Sequence, residues 1–338
     1  MLGKSNSFLV VGLCAGVLAA TLGFAMMRGA SGAVAGEAPA RVLKLAHSLD
    51  EKHPVHLAML YMAGVLDQKS QGQLRLQIYA NGSLCGEAES IEQMQQGVLD
   101  LAKTSTAPLE SFVPEMAVLG VPYVFTSDDQ YWRVLDGEVG QELLDAGQGV
   151  GLKGLCFYDA GARSFYTVKR PILKPEDLEG LKIRVQQSKT AIAMVDALGG
   201  SPTPIEWGEL YSALQTSTVD GAENNLPSYF SNRHFEVCRH FSLSRHTRVP
   251  DVLLCSGDTW NSLSAEEQGW LQQAADESAR MQRKLWDLET ERVLGVLAAE
   301  GVSVHEPDLA PFAEKVKGLH QSYDGAPIGD LLRRIAEE

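Results

Sequence analysis

The stretch Gly161–Lys189, GARSFYTVKRPILKPEDLEGLKIRVQQSK, decides how the rest of the chain is read. Near its end Leu181, Ile183 and Val185 alternate with Lys182, Arg184 and Gln186, the period of two expected of a half-buried strand. SFYTVKR, earlier in the same stretch, reads as another strand. One row of the later strand faces a core. Periodicity leaves the other row, with Arg184 at its middle, two destinations. One is bulk water, with Glu176 or Asp177 as ion-pair partner; the other is an anion held inside the protein.

Outward from this stretch the chain alternates strand-like and helix-like segments. RVLKLAHS, LRLQIYA, LDLAKTS and LKGLCFYDAG read as strands. Between them PVHLAMLYMAGVLDQKS, GEAESIEQMQQGV and QELLDAG carry helical spacing, with Ile91, Met94 and Val98 on one face of the second. KTAIAMVDALG and WGELYSALQTSTVDGAE follow, and the alternation specifies an α/β fold. Ser264-Ala265-Glu266-Glu267 is a capping box, with Ser as N-cap and Glu at the third helical position. The pattern it opens has no proline and, past Gly269, no glycine until Gly295, with a stop near Gly301. A helix of about 35 residues is roughly 50 Å long. That exceeds one small domain, so the helix either spans two domains or breaks near Gly295.

The chain has 338 residues, enough for about two domains. A content of 45% hydrophobic and 21% charged residues is that of a globular protein. A net charge of −14 argues against nucleic acid and anionic membranes as partners, because both need a positive field. It does not forbid an anionic ligand in a local arginine pocket. Residues 1–35 read as a signal peptide: Lys4, an uncharged run from Phe8 to Met27, and the small-residue cleavage site Ala33-Val34-Ala35. An uncleaved anchor is the alternative, since 20 apolar residues can span a bilayer. Either way the body is exported, with the periplasm as the expected location. The mature chain then holds 27 bases against 43 acids. Its four cysteines, Cys85, Cys156, Cys238 and Cys255, are scattered with no C-x-x-C pair; buried free thiols are the expected reading, with one disulfide among them as the alternative.

Catalytic signatures are absent: no H-E-x-x-H, no G-x-S-x-G and no Walker A loop. Gly149–Gly154 matches G-x-G-x-x-G, but it leads into the strand LKGLCFY rather than opening a helix, the reverse of the dinucleotide-binding context. His47, His53 and His56 lie close together, yet form no helical H-x-x-x-H pair, so no metal or other cofactor is expected.

Several segments taken together carry a resemblance: Gly161–Lys189, LGGSPTPIEWGELYSALQ, TSTVDGAENNLPSY from Thr216 to Tyr229, NGSLCGEAESIEQMQQGVLDLAKTS and AVLGVPYVF. Over nearly all of the mature chain the sequence closely resembles the extracytoplasmic solute-binding proteins of TRAP transporters, the tripartite ATP-independent periplasmic carriers. Cys85 departs from the family's usual glycine in its G-x-L-G-G-E turn. The resemblance implies a protein without catalytic activity. It implies two α/β domains around a ligand cleft, of periplasmic binding protein type, linked by crossover strands and a long domain-spanning helix. The expected division is 41–160 plus about 248–285 for domain 1, and 161–247 plus about 286–330 for domain 2.

The same resemblance assigns Arg184 to the substrate carboxylate as a bidentate clamp, Arg163 as a second arginine, and Asn224 as a polar partner. A planar guanidinium suits that task, since two parallel hydrogen bonds orient a carboxylate as well as bind it. For Arg163 a domain-bridging salt bridge is an equal alternative. AENNLPSY, RHFEVCRHFS and AHSLDEKHPVH are most similar to the branch that binds sugar acids such as uronates. Such a ligand needs hydroxyl partners, for which His47, Glu87, Lys103, Ser105, Trp207 and Asn225 are the candidates. C4-dicarboxylates or other organic acids are the rival ligand class. The expected partners are a small organic acid and the TRAP membrane permease subunits, with the protein a monomer. A sensor-linked binding protein and an exported enzyme using His47 or Glu87 are the competing readings.

Overall fold

The computed structural model describes residues 40–338. The leader expected over residues 1–35 lies outside the described residues. Two mixed sheets organise the chain. The first has the order β2-β1-β3-β10-β4, formed by Arg41–Ala46 (β1), Leu74–Tyr79 (β2), Leu101–Ser105 (β3), Leu152–Tyr158 (β4) and Asp251–Ser256 (β10). The second has the order β11-β9-β5-β8-β6-β7. Its strands are Arg163–Thr167 (β5), Lys182–Val185 (β6), Ser201–Pro204 (β7), Gly221–Asn224 (β8), His240–Thr247 (β9) and Ser303–His305 (β11).

Both sheets are covered on both faces, which is why their strands are rich in apolar residues on alternating sides. In the first sheet Ala102, Phe157, Val252 and Leu254 join one core cluster, while Leu101, Leu155, Leu253 and Cys255 join the cluster behind. In the second sheet Phe165, Ile183 and Val185 face one cluster, and Tyr166, Ala222 and Phe241 face the other. Five helices that pack on these sheets position the site: Pro54–Lys69 (α1), Glu87–Gln95 (α2), Leu226–Ser231 (α3), Ala265–Leu297 (α4) and Pro327–Glu337 (α5).

The chain passes directly from a strand of one sheet to a strand of the other at two places, from β4 into β5 through residues 159–162 and from β9 back into β10 through residues 248–250. Gly161 holds a left-handed φ of 58° at the first crossing, and a Cβ there would stand 3.0 Å from the Trp286 Nε1 of α4. Only glycine suits both the dihedral and the contact.

The stretch opened by Ser264 forms one unbroken helix through Gly295, so the spanning alternative holds. Both halves of the capping box are made: the Ser264 hydroxyl accepts from Glu267 N–H at 3.2 Å, and the Glu267 carboxylate accepts from Ser264 N–H at 2.7 Å. Leu271, Ala274, Ala275 and Ala279 of α4 pack in the first sheet's core, whereas Val293 and Leu297 pack in the second's. A helix of 33 residues, about 50 Å long, reaches both. The terminal helix α5 returns to the first sheet, where Leu331 and Ile335 are buried. The G-x-G-x-x-G run ends a short 3-10 turn and enters β4, with Gly151 at φ 77°; it opens no helix. Among the described residues Cys85, Cys156, Cys238 and Cys255 form no disulfide, and all four are buried.

Candidate functional site

Arg184 sits in the middle of β6, between β7 and β8. Ile183 and Val185 take the row that enters the core, which turns Arg184 to the opposite face. There it is buried, only 2% exposed. Its Nε–H donates to the Ile205 carbonyl at 2.8 Å, and its guanidinium lies 5.8 Å from the Trp207 ring centre. Its Nη1 is buried without a hydrogen-bond partner, and among the described residues no carboxylate stands within ion-pair distance. Burial lowers its pKa, and the like charge of Arg163 adds to the effect. Asp177 is committed elsewhere, accepting from the backbone of Leu173 and Lys174. The surface ion-pair alternative for Arg184 therefore does not form.

Arg163 is different. Its Nε and Nη2 grip both oxygens of Glu223 at 2.5 and 2.7 Å, Nη2 also donates to the Glu223 carbonyl, and Nη1 donates to Asn224 Oδ1 at 2.9 Å. Of a guanidinium's five N–H donors, this leaves one. The pair lies within the second sheet, on neighbouring strands β5 and β8, so it is a salt bridge but not one that bridges the sheets. Burial by itself would raise the Glu223 carboxyl. The Arg163 charge and hydrogen bonds from His246 and Arg163 outweigh burial and hold it at about 2. Asn224 Oδ1 also accepts from Asn225 N–H, and Asn225 Oδ1 caps α3 through Ser228 N–H. The Asn224 amide nitrogen keeps its donors for the cleft.

Facing these, the first sheet presents an ion triplet. The Lys103 Nζ, on β3, lies 3.2 Å from Glu87 Oε1 and 3.1 Å from Asp251 Oδ2. Glu87, the first residue of α2, also accepts from Ser105 N–H and the Ser48 hydroxyl through the same oxygen. Burial would lower the Lys103 pKa, but Asp251 and then Glu87 raise it. The Asp251 carboxyl is pushed up to about 6 by burial, against the pull of Lys103. Antiparallel register makes the contact: Asp251 lies opposite Ser105 on neighbouring β3, two residues from Lys103.

These groups line one cleft, partly open to solvent. Arg184, Arg163, Asn224, Glu87, Lys103, Ser105, Trp207 and Asn225 all contribute to its wall, as do Ser48, Leu49, Ala160, Gln186, Ser228, Val249 and Asp251. A smaller space continues past Arg184 and Trp207 toward Glu206. His47 is not in the wall of the cleft. Its Nδ1 accepts from Leu49 N–H and its Nε2–H donates to His56 Nδ1, which fixes the tautomer and supports the Ser48–Leu49 wall from behind. Burial depresses His47 to about 2, so it is neutral. His53 caps α1 and reaches across to Ser228 of α3 at 3.3 Å. Of the wall residues the sequence reading missed, Gln186 lies two positions beyond Arg184 on the same row, and Ser228 three positions beyond Asn225 in the same quoted segment. Asp251 comes from a segment that only folding brings near.

The chain matches known proteins along most of its length. Residues 45–325 match the family model DctP, bacterial extracellular solute-binding protein, family 7. The protein YiiZ of Salmonella typhimurium is 37% identical over 297 residues, covering 87% of this chain and 90% of that one. A TRAP periplasmic solute binding protein from Bradyrhizobium sp. BTAi1, solved in complex with α/β-D-galacturonate, is 39% identical with a TM-score of 0.86, covering 88% of this chain and 100% of that one. A TRAP periplasmic solute binding protein from Pseudomonas putida F1 with bound D-glucuronate is 35% identical with a TM-score of 0.85, covering 88% and 97%.

Proposed function

This chain belongs to the DctP family of bacterial extracellular solute-binding proteins, the binding subunits of TRAP transporters, and from that premise we propose that its cleft captures a uronate or a related sugar acid. The family consists of solute-binding proteins, not enzymes. One observation carries the proposal: Arg184 is a buried cation with a free Nη1 and no anionic partner among the described residues. Such a charge is costly inside a protein unless an anion meets it, and a carboxylate does so with two parallel hydrogen bonds.

In this reading Arg184 clamps the carboxylate. Arg163, held in place by Glu223, adds its remaining N–H, and Asn224 adds its amide. The hydroxyls of the sugar are met by Glu87, Lys103, Ser105 and Asn225, with Trp207 beside the clamp. The uronates bound by solved relatives favour this ligand class. The two sheets then correspond to domains at 41–160 plus about 248–285 and 161–247 plus about 286–330, with α5 added to the first. The ligand makes contacts from both only when they are closed together, so binding favours the closed form. Export through a leader at residues 1–35 would bring the protein to the periplasm, where it hands its ligand to the membrane permease as a monomer.

A thermal-shift screen over D-galacturonate, D-glucuronate, hexonates, C4-dicarboxylates and amino acids tests the proposal. A ligand at about 100 times its dissociation constant adds roughly 2.7 kcal/mol, a rise in Tm of several degrees. Uronates are expected to give that shift. A shift with C4-dicarboxylates alone, or with none of the acids, would overturn the assignment.

A further inference from the structure

The cleft's charges are divided unevenly between its two sides. Among the described residues Arg184 has no anionic partner on the second sheet, and Arg163 is neutralised there by Glu223. On the first sheet a single ammonium, Lys103, is shared by two carboxylates, Glu87 and Asp251. One positive charge against two negative ones leaves that side acidic. All three side chains are largely buried, at 2%, 13% and 10% of side-chain exposure, so water and salt screen them weakly. Burial raises the Asp251 carboxyl only to about 6, and in mildly alkaline buffer it stays ionised.

We propose that Asp251, with Glu87 around the single cation Lys103, restricts the cleft to ligands carrying one carboxylate and excludes dicarboxylates. The inference rests on the reading of Arg184 as a carboxylate clamp and adds what the opposite side of the cleft selects. A hydroxyl arriving at the triplet finds carboxylate oxygens that accept its proton and an ammonium that donates. A second carboxylate arriving there is a like charge beside two others, in a place where that repulsion is strong. Selection against the wrong ligand thus comes from a repulsive element built into the wall. Lys103 alone would offer a second cationic clamp, as a diacid requires. Glu87 balances its charge, and Asp251 reverses the sign of the site. Register supplies the feature: Asp251 opens β10 opposite Ser105, beside the Lys103 ammonium.

The test compares D-galacturonate with galactarate, which has the same carbon skeleton with a second carboxylate at its carbonyl end. Dissociation constants for both are measured by calorimetry on the wild type, Asp251→Asn and Glu87→Gln, in mildly alkaline buffer. The readout is the ratio of the two constants, which a general loss of affinity does not move. The wild type is expected to prefer galacturonate by about tenfold or more, and either variant to shrink that preference by at least about tenfold. Either substitution alone makes the triplet neutral, so one folded variant suffices. Galacturonate binding with an unchanged ratio in the variants would overturn this inference and leave the clamp intact. A wild type that binds both acids equally would do the same. A wild type that binds neither would overturn the clamp reading together with this one.

Discussion

Replacing Arg184 by methionine and, separately, Arg163 by methionine should give opposite results on two arginines buried to the same degree. Methionine keeps the apolar stem and removes the charge. Arg163 holds Glu223 through two oxygens at 2.5 and 2.7 Å, so its loss leaves a buried carboxylate with His246, at 3.4 Å, as its remaining weak side-chain partner among the described residues. Breaking one side of a buried pair costs about 3–5 kcal/mol. At roughly 2–4 °C per kcal/mol, the Tm should fall by about ten degrees. Arg184 makes one backbone hydrogen bond, to Ile205, worth about 1.5–3 kcal/mol. Against that stands a desolvation penalty of several kcal/mol for a buried charge without a counter-ion. Arg184→Met should therefore leave the stability of the ligand-free protein unchanged or raise it, while the Tm rise with D-galacturonate disappears. Thermal unfolding of both variants, with and without D-galacturonate, reads both effects. A Tm loss in Arg184→Met as large as in Arg163→Met would show that Arg184 is already charge-compensated, and a retained ligand shift would remove it from the carboxylate.

Acid should destabilise the fold through its buried histidines. Burial depresses His47 to about 2, His53 to about 3 and His234 to about 3, from an ordinary value of 6.5. Below pH 6.5 the unfolded chain binds these protons and the folded chain does not, so stability falls as pH falls, by about 1.4 kcal/mol per unit for each group. Asp251, raised from 3.8 to about 6, works the other way between those values. The net loss between about pH 6 and pH 5 is roughly 3 kcal/mol, measurable by urea unfolding; a flat profile would mean that these histidines are charged in the fold. At the start of α4, Ser264→Ala removes the hydroxyl of the capping box and should cost about 1 kcal/mol. An unchanged urea midpoint would show that the helix start is held by other contacts.

The alternation around Arg184, the capping box at Ser264 and the length of the helix behind it were all legible in the sequence. They are local: one residue's side of a strand, or one cap's hydrogen bonds, depends on neighbours a few positions away. The family likeness of the segments from Gly161 to Tyr229 was legible too, and with it the two-sheet architecture. Other features of the cleft were not. Arg163 and Arg184 look alike in sequence, yet one is neutralised by Glu223 and the other has no anionic partner among the described residues. His47 read as a ligand partner, whereas its ring hydrogen-bonds His56 behind the wall. Asp251 carried no signal at all, although it sets the sign of charge beside Lys103. Sequence alone determined which row of β6 carries Arg184 and where the long helix begins. Tertiary structure decided which charges cancel there, because pairing at about 3 Å depends on the register of β3 against β10 and of β5 against β8, and those strands meet only in the folded chain.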